Sequence, residues 1–273
     1  MLYRKLVIDA EYTLSPIDRH VMQTALYSDW AGLFHPSYGA WRVKRCNKIL
    51  DIYGIDFFKD RKILELGCGH GDIGAFFAEL GAQVLGLDGR QRNVTFARLK
   101  HRNVAGIRFE QFNLEDDFSG FGRFDLIINF GLIYHLRDIN AHLRACFSCA
   151  DDLVMETVVC DSTDPYKVTL CDEKKLGTPL DDNESSIKGI GCLPSPFFIE
   201  RVATENGFRV DRHFTPDLNA GVQFNYDWSP KNDGRLGEGL SLRRFWRFVK
   251  DVDGHFAART TGELQSVESA ATM

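Results

Sequence analysis

Glu65-Leu66-Gly67-Cys68-Gly69-His70-Gly71-Asp72 is the segment of this 273-residue chain whose residue types and spacing most directly specify chemistry. Alternate glycines let a backbone turn tightly and pass close to a ligand, and here an apolar run from Lys62 leads into them while a helical pattern follows. A second acid, Asp88, closes the next apolar run from Gln83 to Leu87. A carboxylate at the end of a second strand can accept hydrogen bonds from both hydroxyls of a ribose. Glu65, Gly67, Cys68 and Gly69 with Asp88 and Gly89 therefore outline a nucleoside site. Farther along, Tyr134-His135-Leu136-Arg137 follows the apolar run that ends at Phe130. His135 is a candidate general base, Tyr134 a residue to shape the reacting pocket, and Arg137 a partner for an anionic substrate. A histidine opening a helix can equally cap or pack.

The elements that must hold these residues alternate between short apolar runs and amphipathic ones. Strands are expected at 62–66, 83–87, 107–112, 124–130 and 153–159, with helices starting at Asp72, running from Arg90 to about His101, and spanning 139–147. This is the rhythm of βαβ units. Ahead of it, Ser15-Pro16 opens one helix and Tyr38–Tyr53 reads as another, so residues 1–60 form a helical leader. Residues 160–195 are dense in Asp, Glu, Gly, Pro and Ser without an amphipathic period, which suggests a long loop acting as a lid. A helix from Ser195 to Asn206 and strands at 208–214 and 222–228 complete the sheet in antiparallel fashion. Leu240 to Lys250 mixes aromatics and arginines at helical spacing, so 231–273 is assigned a basic C-terminal helix and a frayed tail from Ala257. The main domain is then 61–230.

Composition narrows the function classes. With 44% hydrophobic and 26% charged residues the chain can bury a core, and its formal charge of −5 supplies no global basic surface for nucleic acid. Seven cysteines at irregular spacing point to reduced thiols and a cytoplasmic protein rather than a disulfide framework. The polar N-terminus lacks a signal-peptide pattern, and no apolar stretch is long enough for a membrane span. Cys146 and Cys149 have C-x-x-C spacing, but without a second pair no metal site is expected.

The glycine pattern also discriminates between cofactors. A dinucleotide fingerprint places its third glycine inside the helix, as G-x-G-x-x-G, whereas here Gly67-x-Gly69-x-Gly71 differs and the acidic Glu65 lies beneath the loop. An anion there repels a pyrophosphate but suits the ammonium and sulfonium charges of S-adenosylmethionine. E-L-G-C-G-H-G with Asp88 resembles motif I and the following acidic motif of the class I S-adenosylmethionine-dependent methyltransferases. The resemblance covers about residues 61–215. It implies an α/β, Rossmann-like, mostly parallel sheet with an antiparallel last strand. It also implies that Glu65, Gly67 and Gly69 face the methionine part of the cofactor, Asp88 the ribose, and Gly89 or Arg90 the adenosine rim. Asn113 and Leu114 would flank the adenine, with Asn129 in the same cofactor group.

Gly131-x-x-Tyr134-His135, together with Trp41-Arg42-Val43, Val154-Met155-Glu156-Thr157 and Pro196-x-Phe198-Ile199, resembles the tRNA wobble-uridine carboxymethyltransferases in scaffold. Gln223 to Trp228, where that group carries a cation for a carboxylated cofactor, shows Phe and Asn instead. The expected function is methyl transfer from S-adenosylmethionine to a hydroxyl or amine of a small or saccharide-like molecule. Modification of a tRNA base and non-catalytic cofactor binding are the alternatives.

Overall fold

The structure is a computed structural model that describes residues 36–172, 189–219, 224–233 and 241–251. A helix, α1 (Pro36–Tyr53), leads into the alternating series β1 (Lys62–Leu66), α2 (Asp72–Glu79), β2 (Gln83–Asp88), α3 (Gln91–Lys100) and β3 (Ile107–Gln111). The chain then returns through β4 (Leu126–Phe130), α4 (Ile139–Cys149) and β5 (Asp152–Val158). β6 (Val168–Asp172) and β7 (Ile190–Pro194) precede α5 (Pro196–Glu205), β8 (Phe208–Arg212), β9 (Phe224–Asn225) and β10 (Ser241–Lys250). The helix expected from Ser15, the centre of the proposed lid at 173–188 and the tail from Ala257 lie outside the described residues.

One sheet carries the molecule in the order β3-β2-β1-β4-β5-β10-β8, with β9 paired to the start of β10. β1 to β5 pair in parallel, and β10 pairs antiparallel with both β5 and β8. Strands buried on both faces read as continuous apolar runs, and Leu126–Phe130 is buried at every residue. One face packs against α4 and α5 through a cluster that includes Leu64, Leu143, Ile199 and Trp246. The other packs against α1 and α2 through Ile49, Ile63, Phe77 and Phe245. Local caps match the sequence at two helices: Ser195 Oγ accepts from the Phe198 N–H at 3.0 Å, and Asp138 accepts from the Ala141 N–H at 3.0 Å.

Three expectations are corrected. Leu240 to Lys250 does not form a helix, because its residues from Ser241 onward are β10. At the strand period of two, Leu242, Trp246 and Phe248 enter one core while Phe245 enters the other. Arg243 and Arg244 are 5% and 2% exposed, so two of the cations expected on a basic helix are interior. Next, 160–195 is not wholly irregular: Val168-Thr-Leu-Cys and Ile190-Gly-Cys-Leu pair antiparallel as β6 and β7. The acid-rich stretch between them masks this local alternation in the composition. Finally, among the described residues of the strand expected at 222–228, β9 takes up Phe224 and Asn225, and β10, a strand not expected, lies between β5 and β8. The sheet thus extends past the boundary drawn at 230.

The strand assignment carries a measurable consequence. Trp246 is fully buried and its indole N–H donates to Glu200 at 3.0 Å. Trp246→Ala is expected to cost about 3–5 kcal/mol in denaturant unfolding. A solvated surface helix would lose only a few tenths.

Candidate functional site

In the strand order the chain runs outward from β1 to β3 and then restarts on the other side with β4. The connections leaving β1 and β4 diverge there, opening a crevice at the strands' carboxyl ends. The cavity found at that place encloses about 1210 Å³ including its open mouth, and residues from α1, β1, β2, β4 and the turns after them line it.

The turn after β1 forms its floor. Gly67, Gly69 and Gly71 all have φ between 54° and 76°, in the left-handed region. A Cβ on Gly71 would sit 2.3 Å from the Phe109 ring, whereas a Cβ on Gly69 would meet nothing within 4 Å. The first glycine therefore allows packing, and the second leaves open space at the cavity. Asp88 at the end of β2 ties this turn to the next: its Oδ2 accepts from the Gly69 N–H and its Oδ1 from the Arg90 N–H and the Asn93 amide, each at 2.9 Å. Gly71, not Asp72, is the N-cap of α2. The Asp72 carboxylate is instead paired with Lys100 at 2.8 Å and Arg42 at 3.3 Å.

Glu65 is 4% exposed, and its Oε2 accepts from the Gly74 N–H at 2.9 Å. Burial pushes its carboxyl up to about 8, although the Gly74 hydrogen bond pulls the other way. Without a cation nearby, Glu65 thus holds its proton at neutral pH. A positively charged ligand in the cavity would favour its ionised form.

Most of the residues singled out in the sequence meet here. Glu65, Gly67, Cys68, Gly69, Asp88, Gly89, Asn113, Leu114, Tyr134 and His135 all line the cavity. Two do not. Asn129 is completely buried and turned into the core, where its amide meets the His142 ring at 2.9 Å. His142 Nδ1 lies 2.8 Å from the Leu114 carbonyl, which can only accept, so that nitrogen carries the proton and Nε2 accepts from Asn129. Burial depresses His142 to about 4, consistent with a neutral ring. Asn129 is therefore a bracket for the Leu114 turn rather than a lining residue; on β4 its neighbours Ile128 and Phe130 face the cavity. Arg137 lies exposed outside the cavity, and its backbone N–H donates to Glu115 at 2.7 Å.

None of the described lid residues lines the cavity. β7 packs instead against the Ile133–His135 turn, where the Cys192 thiol donates to the Ile133 carbonyl at 3.5 Å. The hairpin thereby buttresses the turn that presents Tyr134 and His135. Cys146 and Cys149 are buried on α4.

Trp41, Arg42 and Arg45 of α1 line the cavity and were not assigned to it from sequence. Trp41 and Arg45 stand one helical turn apart, and the signal was a cation on the inward face of an amphipathic helix. Its complement, Glu156, follows the apolar Leu153-Val154-Met155 in β5.

Comparison with known proteins agrees with this geometry. A family model described as a methyltransferase domain matches residues 38–213. The chain belongs to that family. Ubiquinone biosynthesis O-methyltransferase of Cereibacter sphaeroides is 36% identical over 91 residues, 33% of this chain and 36% of the relative. The Sinorhizobium fredii protein of the same name is 26% identical over 142 residues, 48% of this chain and 57% of its own. The matched regions thus fall short of two thirds of the relatives' length. Among solved structures, the N-terminal domain of EvdMO1 with SAH bound superposes with a TM-score of 0.56 at 19% identity, covering 76% of this chain and 79% of that one. Magnesium protoporphyrin IX methyltransferase from Synechocystis with bound SAH gives 0.51 at 18%, covering 84% and 93%. These likenesses establish the Rossmann-like fold. Among the described residues no helix is long and apolar enough to cross a membrane.

Glu65 generates a test of the floor. A carboxyl raised by folding favours the native state fully below its unfolded pKa near 4.3, and that contribution is lost as pH climbs through about 8. Glu65→Gln keeps an acceptor for the Gly74 N–H and removes the titration. The ligand-free variant is expected to melt at a higher temperature than the parent at pH 8.5 and at nearly the same temperature at pH 5. Parallel melting curves across that range would contradict a buried titrating Glu65.

Proposed function

We propose that the protein transfers a methyl group from S-adenosylmethionine to a hydroxyl or amine of a small molecule. The observation that carries the reading is the joining of Glu65, the open glycine turn and Asp88 on one cavity floor, with Tyr134 and His135 across from them. The residues fit the cofactor. Gly69 leaves space where a side chain would intrude, and Asp88 keeps an unused lone pair on Oδ2 for a ribose hydroxyl beside the N–H groups it already holds. Glu65 provides the buried anion that a cationic methionine moiety requires, and Asn113, Leu114, Gly89 and Arg90 stand at the adenosine end. Bound there, the cofactor supplies an activated methyl group.

The chain's own residues have a positioning and proton-handling task. Trp41, Phe130 and Tyr134 wall the inner part of the cavity with rings and exclude water from it. The Tyr134 and His135 rings lie 4.1 Å apart between their centres on one short turn, held from behind by β7. His135 is placed to accept the proton of a hydroxyl or protonated amine as it becomes nucleophilic. Alignment of the acceptor by the ring walls accounts for the larger share of rate. Of the two features behind the tRNA alternative, Tyr134-His135 lines the cavity, whereas Arg243 and Arg244 are interior to β10 and offer no basic surface.

Supplying S-adenosylmethionine labelled in its methyl group to a small-metabolite extract and, separately, to bulk tRNA tests this reading. Label is expected in the small molecules, and labelling of tRNA alone would overturn it. Once an acceptor is found, His135→Ala is expected to lower kcat about 10²–10⁴-fold while leaving cofactor affinity unchanged. An unchanged kcat would remove His135 from the reaction.

A further inference from the structure

The inner wall of the cavity holds an arrangement that methyl transfer by itself does not call for. Glu156 is completely buried, and three groups converge on it: the Arg45 guanidinium in a salt bridge, the Arg243 guanidinium at 2.8 Å and the Tyr226 hydroxyl at 2.8 Å. Arg45 is 1% exposed and lines the cavity, and it lies against the faces of Trp41 and Phe130. Arg243, 5% exposed, stands one layer behind, 5.5 Å from the centre of the Tyr134 ring and 4.8 Å from that of Phe224.

Charge does not balance in this group. Guanidinium groups stay protonated in proteins, so two cations face one carboxylate and the cluster carries a buried excess of one positive charge. Hydrogen bonding does not balance either, because Arg45 Nε and Nη1 and Arg243 Nε have no partner. Asp72, another acid of the cavity lining, is already paired with Lys100 and Arg42. An isolated charge and orphaned donors in an apolar wall each cost free energy that a matching anion would offset.

We infer that the methyl acceptor is a carboxylic acid with a compact aromatic or alkyl body, whose carboxylate is held by the Arg45 guanidinium at the inner end of the cavity. This rests on the methyltransferase reading and adds the acceptor's class. A single excess charge matches a monoanion, and a guanidinium whose Nε and Nη1 lack partners can donate to a carboxylate oxygen. The rings of Trp41, Phe130 and Tyr134 suit the apolar remainder of such a molecule. The site lies at the β4 and α1 side of the cavity, apart from the glycine turn and Asp88. Glu156 and Arg243 act as positioning residues that hold Arg45 in place.

The test is calorimetric titration of the full chain saturated with S-adenosylhomocysteine. Its probes are 4-hydroxybenzoate, phenylacetate and 3-phenylpropionate, each compared with its primary amide. At least one acid is expected to bind about tenfold or more tightly than its amide, with Arg45→Lys keeping part of the preference and Arg45→Met erasing it. Acids that bind no better than amides would overturn the inference, and that comparison needs only the unaltered protein. It would also fall if Arg45→Met weakened S-adenosylhomocysteine tenfold but left 5′-methylthioadenosine unaffected, because Arg45 would then serve the cofactor's own carboxylate. Failure of the unaltered protein to bind S-adenosylhomocysteine would instead overturn the methyltransferase reading.

Discussion

Glu156 joins more distant parts of the chain than any other single side chain in the site. From β5 it reaches Arg45 on α1, Tyr226 just after β9 and Arg243 on β10, and Tyr226 in turn accepts from the Trp41 indole at 3.1 Å. A carboxylate without exposure to water is tolerable only when such partners surround it. Its burial therefore requires α1 and β10 both to lie against β5. Both placements shape the cavity, since α1 supplies Trp41, Arg42 and Arg45 to its lining and Arg243 of β10 stands behind Tyr134.

Across the cavity the charges divide. The β1 and β2 side presents carboxyl groups, Glu65 and Asp88, while the α1 side presents guanidinium groups, Arg42 and Arg45. Asp88 is tied down by three N–H donors and holds the floor rigid. Glu65 accepts from the Gly74 N–H and is raised by burial, so it is the group that a cation would recruit. A cationic cofactor on one side and an anionic acceptor on the other would each neutralise the wall it meets. The glycine turn and the Tyr134–His135 turn bring those two sides together.

The side of the cavity that carries Glu65, the glycine turn and Asp88 was legible in the sequence because its determinants are local. Glycines at 67, 69 and 71, two residues apart, directly follow one strand, and Asp88 ends the next, so spacing alone placed them. The α1 side was not, because its determinants meet only in three dimensions. Arg45 and Glu156, or Glu156 and Arg243, are far apart in the chain, and no periodicity links them. The same holds for β10, whose arginines suggested a solvated helix until their buried partners, including the backbone carbonyls of Tyr226 and Trp228, were located. Asn129 shows the converse error. Its position at the end of β4 was read correctly, but the pleat turns its side chain away from the cavity to His142.

The most direct measurement of the central claim is calorimetric titration of the full chain with S-adenosylhomocysteine and, in parallel, with NAD. The arrangement of Glu65, Gly69 and Asp88 predicts one-to-one binding of S-adenosylhomocysteine, lost in Asp88→Ala, and no heat from NAD. Binding of NAD in preference to S-adenosylhomocysteine, or an affinity for the latter indifferent to Asp88, would contradict it.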